Sequence, residues 1–198
     1  MSTALRPATS SEVGESARWR TVDIVVVALL ATAFGVVFFI WNNYVWVWAS
    51  GAGYQAASLV TGAWLLPAVV CPLVVRKPGA AVFGEVVAAF VAMLLGNAWG
   101  MDSLLSGVLQ GAGAELVFAF ALYRRWGLVT AVLASLGAGV GEAIHDTSIS
   151  YAAYDVPYRA VIAGVEVVSA ALIAGLGAWL LVRALRRTGA LQAFPSNE

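Results

Sequence analysis

Long apolar segments alternate with short polar segments along most of the chain. A helix needs about twenty apolar residues to cross a bilayer, and six segments meet that requirement. The predicted spans are 22–41, 56–75, 80–98, 103–123, 126–145 and 158–182. The pattern therefore predicts an all-α integral membrane bundle of six transmembrane helices.

The basic residues orient this bundle. Almost all of them fall into four clusters: Arg6, Arg18 and Arg20; Arg76 and Lys77; Arg124 and Arg125; Arg183, Arg186 and Arg187. Two predicted spans separate each cluster from the next, and Arg159 is the only basic residue near the connections on the other side. Because short cytoplasmic loops collect Lys and Arg, the clusters and both termini are predicted to be cytoplasmic.

The composition agrees with a multi-pass protein of the cell membrane. Hydrophobic residues make up 61% of the chain and charged residues 11%, with a mean hydropathy of +0.86. A net charge of zero without a basic patch argues against nucleic acid as a partner. We expect no cleavable signal peptide. The predicted division is a disordered cytoplasmic tail over 1–20, a membrane domain over 21–185 and a second cytoplasmic tail over 186–198.

Small residues indicate where helices approach closely. Ala28, Ala31 and Gly35 form one stripe on the first span, and small residues spaced by four suit close helix contact. Packing inside the bundle is the default expectation for such a stripe. The first span also lacks an ionisable residue beyond Asp23, so the same stripe could instead dock another membrane subunit.

Ionisable side chains inside a membrane are costly, so each one indicates a functional site. The predicted spans and their edges contain Glu85, Glu115, Glu142, His145, Asp146 and Glu166, together with the neutral hydrogen-bonding residues Asn97 and Gln110. Most of them are predicted in the outer half of the bundle, with Glu115 near the middle and Glu85 in the inner third. Glu142, His145 and Asp146 share a helical face because they are spaced i, i+3, i+4.

Aromatic side chains accompany these carboxylates, among them Trp41, Trp99 and Tyr151. Carboxylates beside aromatic faces suit a flat ligand that is cationic or can be protonated. Tyr and Trp also gather at any membrane interface, so the rings alone do not define a site. The combination predicts a small-molecule pocket that opens outward between spans three to six, with the aromatic segment 41–55 as a candidate lid.

Other chemistries fit the sequence less well. Glu142 and His145 have the spacing of half a di-iron site, but the chain has no second histidine. No serine is an obvious partner for His145 as a catalytic base, and there is no P-loop motif for ATP hydrolysis. We therefore expect a protein that is not an enzyme and that has no catalytic residue, no metal and no cofactor.

Several strings together resemble the YkoE-type substrate-binding (S) components of energy-coupling-factor vitamin importers. These strings are RKPGAA at 76–81, GE at 84–85, LLGN at 94–97, QGAGAE at 110–115 and YAAY at 151–154. The resemblance covers about residues 20–185. It implies a six-helix protein that captures thiamine or its hydroxymethylpyrimidine precursor outside the cell. It further implies delivery inward through a transmembrane coupling subunit driven by two ATPase subunits.

The resemblance also implies roles for individual residues. Its strings carry Glu85, Asn97, Gln110 and Glu115 as substrate-binding residues, followed by Asp146 and Tyr151. It makes Ala28, Ala31 and Gly35 the stripe that docks on the coupling subunit. The full predicted set of substrate-binding residues is Asn97, Gln110, Glu115, Glu142, His145, Asp146, Tyr151, Glu85, Trp41 and Trp99.

Two other functions remain open from the residues alone. A self-sufficient proton-coupled carrier would use the intramembrane carboxylates as proton relays. A small intramembrane enzyme would use the face formed by Glu142, His145 and Asp146, but the partner residues for such chemistry are missing.

Overall fold

The computed structural model describes residues 18–194. Six helices occupy that range: α1 (Thr21–Ser50), α2 (Tyr54–Val75), α3 (Ala80–Leu94), α4 (Asp102–Phe120), α5 (Leu128–Ser148) and α6 (Val156–Arg187). Five are long and apolar enough to cross a membrane, and α3 is a shorter apolar helix. No strand occurs among these residues, so the all-α membrane bundle is confirmed. The predicted disorder of the N-terminal tail lies almost wholly outside the described residues.

Several helix boundaries differ from the sequence-based expectation, and two of these differences involve the helices nearest the cavity. The connection predicted from residue 41 is instead a continuation of α1, through a π-helical segment at Trp41–Trp46 to Ser50. Asn42 is buried there, which indicates that contacts with the bundle stabilise the extension. By contrast, α3 ends at Leu94 because Gly96 has a φ of 91°, a left-handed conformation that glycine adopts without strain.

α2 is the central helix of the bundle, and nearly every residue from Leu65 to Val75 is buried. Its first half includes a 3₁₀ segment at Ser58–Leu65, and the α-helical part begins with a proline in its first turn. Such irregular backbone is tolerated in a membrane where neighbouring side chains satisfy its polar groups. Ser169 of α6 satisfies two of these backbone groups, because its Oγ accepts a hydrogen bond from Gly62 N and donates one to Leu59 O.

Glycine contacts set the spacing of several helix pairs. A Cβ added to Gly113 of α4 would collide with the backbone carbonyl of Gly137 of α5, and the reverse is also true. Gly107 and Gly111 of α4 face α3 in the same way. The glycines of the fourth and fifth spans therefore pack inside the bundle, as close helix approach requires.

The small-residue stripe of α1 is also largely internal, as the default expectation for such a stripe predicts. Ala31 is fully buried with Ala88 and Ala92 of α3. A Cβ at Gly35 would lie 2.8 Å from the Ala88 carbonyl oxygen. Ala28 remains partly exposed. α3 therefore covers Ala31 and Gly35 in this structure, and the docking role of the stripe stays a prediction.

The basic clusters lie together at one end of the bundle, which we call the arginine-rich end. Trp19 Nε1 donates a hydrogen bond to Pro78 O, and Arg186 Nη2 donates one to Leu73 O. These contacts join the first, second and last clusters. The assignment of this end to the cytoplasm stays a prediction from the distribution of positive charge.

Candidate functional site

A cavity of about 620 Å³, including its open side, lies between α1, α3, α4 and α5, with Trp64 contributed by α2. Its lining includes no residue of α6, whereas the sequence predicted a pocket between spans three to six. We place its mouth at the end opposite the arginine-rich end, because Asp102 at the start of α4 is partly exposed whereas the other lining carboxylates are buried. The lining residues are Phe38, Asn42, Trp46, Trp64, Glu85, Ala89, Ala92, Asn97, Trp99, Asp102, Ser103, Ser106, Gln110, Glu142, His145, Asp146, Ser150 and Tyr151.

A buried hydrogen-bond network joins α4 to α5 in this cavity. Ser106 Oγ donates to Glu142 Oε2 at 2.8 Å, and Gln110 Nε2 donates to the same oxygen and to Ser106 Oγ. The two donors lie one helical turn apart on α4, so both face Glu142. They hold one oxygen of Glu142 in place and leave Oε1 available to a ligand.

His145 lies between two carboxylates nearer the mouth. Its Nδ1 is 2.9 Å from Asp146 Oδ1, and its Nε2 is 3.2 Å from Asp102 Oδ1. Ser150 Oγ donates to the same Asp146 oxygen. Tyr151 is 5% exposed, and its burial raises the pKa of the phenol, with Asp146 adding to the effect. Tyr151 is therefore a neutral hydroxyl group at physiological pH.

Glu85 forms the deep end of the cavity and also supports α2. Its Oε2 accepts a hydrogen bond from Ala68 N at 2.9 Å. Ala68 lies in the first turn of the α-helical part of α2, where backbone N–H groups have no partner within the helix. Oε1 of the fully buried Glu85 has no hydrogen-bond partner within residues 18–194. Oε2 of Glu85 thus supports α2, and this hydrogen bond also fixes the position of Oε1.

Tryptophans form one wall of the cavity. The ring centroids of Trp46 and Trp64 are 5.0 Å apart, and those of Trp64 and Trp99 are 5.6 Å apart. Trp64 Nε1 donates a 2.7 Å hydrogen bond to Asn42 Oδ1, which fixes the orientation of its indole. Asn42 and Trp46 lie on the same side of α1 within its π-helical segment. Such segments are frequent at functional sites.

Most of the predicted substrate-binding residues line this single cavity. They are Glu85, Asn97, Trp99, Gln110, Glu142, His145, Asp146 and Tyr151. The lining accounts for the depth of Glu85, because the cavity extends farther toward the arginine-rich end than the sequence indicated. Trp41 is not among the lining residues.

Glu115 lies elsewhere, which corrects its predicted position near the middle of the span and in the site. Its Oε1 accepts hydrogen bonds from Gly79 N and Tyr123 OH, and its Oε2 accepts one from Ala81 N. Gly79 lies just before α3, Ala81 lies in the first turn of α3 and Tyr123 follows the end of α4, all at the arginine-rich end. Burial and the contact with Glu115 raise the pKa of Tyr123 to about 12. Glu115 therefore caps a helix and does not reach the cavity.

Several lining residues could not be recognised from the sequence pattern. Asp102 begins α4 and resembles an ordinary residue of an exposed connection, yet it contacts His145. Trp64 lies within an apolar span, where a tryptophan commonly faces lipid. The one available signal was Asn42, a polar residue four positions before Trp46, which is consistent with a shared helical face.

The cavity also contains a cluster that could ligate a metal. Glu142, His145 and Asp146 each offer a ligand atom within 4.8 Å of the others. Both ring nitrogens of His145 already face carboxylates, and Glu142 Oε2 already accepts two hydrogen bonds. The absence of a bound metal stays a prediction, and the existing contacts favour a network of hydrogen bonds.

An all-helical membrane bundle with one acidic, tryptophan-walled cavity defines a membrane-embedded small-molecule-binding protein. Residues 22–141 match the family of ABC-type cobalt transport system permease components. The chain is 34% identical over 174 residues to the putative HMP/thiamine permease protein YkoE of Bacillus subtilis (strain 168), covering 87% of each chain. A crystal structure of an S-component of an ECF transporter matches with a TM-score of 0.85 and 32% identity, covering 89% of this chain and 90% of the other.

The chain therefore belongs to the family of S components of energy-coupling-factor (ECF) transporters. It is a multi-pass cell-membrane protein and the substrate-binding subunit of a transporter, and its relatives are transport proteins rather than enzymes. Membership also implies a transported substrate and partner subunits that supply coupling and ATP hydrolysis.

Proposed function

We propose that the chain binds thiamine or its hydroxymethylpyrimidine precursor in the cavity between α1, α3, α4 and α5. The observation that carries this proposal is the combination of four carboxylates with a wall of tryptophans. The carboxylates are those of Glu85, Asp102, Glu142 and Asp146, and His145 is the only basic residue in the lining. The name of the related Bacillus subtilis permease supports the same substrates.

The chemistry of these ligands fits the two parts of the cavity. An aminopyrimidine ring donates hydrogen bonds through its amino group and accepts them at its ring nitrogens. Glu85 Oε1 and Glu142 Oε1 offer acceptors, and Tyr151 and Asn97 offer donors. Thiamine adds a permanently charged thiazolium ring, which the faces of Trp46, Trp64 and Trp99 attract by cation–π interaction.

The proposed cycle divides the work between this chain and its partners. The ligand enters at the mouth beside Asp102 and Tyr151, which we place on the outer side of the membrane. The chain has no P-loop motif, so a transmembrane coupling subunit and two ATPase subunits supply the energy for release inward. Liposomes that contain this chain alone are expected to bind the ligand without accumulating it. Accumulation driven by a proton gradient would instead identify a self-sufficient carrier.

Ligand titration of the purified protein tests the site. We expect Glu142→Gln and Gln110→Ala each to weaken thiamine or hydroxymethylpyrimidine binding by more than tenfold, above about 1.4 kcal/mol. Glu115→Gln is the matched control for Glu142→Gln because Glu115 lies outside the cavity. Gln55→Ala serves the same purpose for Gln110→Ala. Unchanged affinity in both cavity variants, with normal thermal stability, would reject the site.

A further inference from the structure

A second cavity lies at the arginine-rich end, far from the proposed vitamin site. It forms a groove between the end of α2, the start of α5 and the end of α6, and it encloses about 1120 Å³ including its open side. Its lining consists of Leu73, Arg76, Arg124, Trp126, Gly127, Trp179, Val182, Arg183, Arg186 and Arg187. Half of these residues are arginines, and none is acidic.

The positive charge of this groove is not neutralised within the described residues. Among residues 18–194, the three acidic side chains in this half of the bundle all have other partners. Asp23 contacts Arg20 and Lys77, Glu115 binds Gly79 and Ala81, and Glu85 binds Ala68.

Arg76 has the most constrained position in the groove. It ends α2 in a left-handed conformation with a φ of 55°, and its buried Nε has no hydrogen-bond partner within residues 18–194. Burial and the neighbouring charge of Arg186 lower the pKa of Arg76 to about 10. A bound anion would offset this repulsion and satisfy the unpaired donor.

The groove also has features that suit a membrane component. Trp126 and Trp179 are half-buried along it, and Leu73 and Val182 provide apolar contacts. The guanidinium of Arg183 lies 5.1 Å from the ring centroid of Trp179. Tryptophans at the level of the lipid headgroups, next to clustered arginines, are the features expected of a site for an acidic lipid.

We infer that this groove binds the phosphate of an anionic lipid headgroup, with Arg76, Arg124 and Arg186 around the phosphate and the two tryptophans beside the glycerol and upper acyl chain. Arginine suits this role because its planar guanidinium pairs with phosphate oxygens through two hydrogen bonds. This inference does not depend on which vitamin the chain carries.

Lipid binding by the full-length, delipidated protein tests the inference. Native mass spectrometry would follow titration with phosphatidylglycerol, with phosphatidylcholine and with inorganic phosphate. Each arginine near an acidic headgroup contributes about fivefold in affinity. We expect phosphatidylglycerol to bind at least tenfold more tightly than phosphatidylcholine, and millimolar inorganic phosphate to compete only weakly.

Variants locate the lipid. Arg76→Gln combined with Arg124→Gln is expected to weaken phosphatidylglycerol binding by about 25-fold. Arg18→Gln combined with Arg125→Gln is the matched control, because both residues are exposed and outside the lining. If the first pair impairs folding, Arg183→Gln with Arg187→Gln tests the same groove on the exposed end of α6.

Three results would overturn the inference. The first is equal affinity for the two lipids, and the second is equally tight binding of inorganic phosphate and phosphatidylglycerol. The third is unchanged lipid binding in the groove variants while they lose association with the coupling subunit, which would make the groove a protein interface. Vitamin binding in detergent is expected to be the same in all variants, so failure here is distinct from failure of the proposed function.

Discussion

His145 Nε2 lies 3.2 Å from Asp102 Oδ1, so the end of α5 is joined to the first turn of α4 at the mouth of the cavity. Asp146 contacts the other ring nitrogen. A ring held from both sides keeps one orientation, and its two carboxylate neighbours keep negative charge at the entrance. This arrangement suits the cationic or hydrogen-bond-donating ligand that we propose for the cavity.

Replacing Asp102 tests this role. Asp102→Asn keeps the shape of the side chain but removes a charge and weakens the contact with His145, so we expect about tenfold weaker thiamine binding. Asp155→Asn is the control, because Asp155 caps α6 outside the cavity and Asn caps helices equally well. Isothermal titration calorimetry of both variants makes the comparison. If Asp102→Asn and the unmodified protein bind thiamine with equal affinity, Asp102 does not take part in binding.

The tryptophan wall predicts a loss of affinity on a mild substitution. Trp64→Phe removes the hydrogen bond to Asn42 and reduces ring contact, which we expect to cost about 1 kcal/mol, or fivefold in thiamine affinity. Trp48→Phe is matched chemically, but Trp48 is 83% exposed and outside the cavity, so it is expected to have no effect. Ligand titration by calorimetry avoids the change in fluorescence that both substitutions cause.

Glu115 is expected to affect stability and not binding. Glu115→Gln replaces one of the two oxygens that accept backbone hydrogen bonds with an amide nitrogen, which cannot accept one, so we expect a loss of about 1–3 kcal/mol of stability. Thermal unfolding in detergent measures the stability, and calorimetry measures the unchanged thiamine affinity. Tyr123→Phe, which removes only one of the hydrogen bonds of Glu115, should give a smaller loss. If Glu115→Gln lowers the thiamine affinity more than it lowers the stability, Glu115 belongs to the binding site after all.

The close contact between α4 and α5 is expected to tolerate no side chain at Gly113. Gly113→Ala places a methyl group against the Gly137 carbonyl, so we expect a destabilisation of about 1–3 kcal/mol. Gly164→Ala is the control, since nothing lies within 4 Å of a Cβ there and alanine is the better helix former. Thermal unfolding of the two variants is expected to shift in opposite directions.

The packing of the small-residue stripe of α1 is expected to affect the stability of the purified protein. Gly35→Val is expected to lower the melting temperature of the purified protein without any partner present, because Gly35 packs on Val91 and Ala88. Ala33→Val, at an exposed position of the same helix, is the control. A Gly35→Val protein that is stable alone but cannot join the coupling subunit would support the docking role.

Part of the site was predictable because polar groups are conspicuous in an apolar chain. Glu142, His145 and Asp146 could be assigned to one helical face from their spacing, and the structure places all three in the cavity lining. Glu115 is also a carboxylate within an apolar span, but it binds backbone amides and lies outside the cavity. The position of a residue along its own helix does not reveal which backbone amides of a neighbouring helix lie opposite. Asp102 had no signal, since its importance comes from a partner 43 residues away.

The sequence by itself determined that the chain lies in a lipid bilayer, how many helices it forms and that positive charge clusters toward one end. These follow from local hydropathy and from the cost of placing charge in lipid. The tertiary structure decided which small residues face inward, which carboxylates share a cavity and where the arginines form a groove. Those outcomes depend on close packing between helices that are distant in sequence, such as α1 on α3, and no local pattern encodes which neighbour covers a given face.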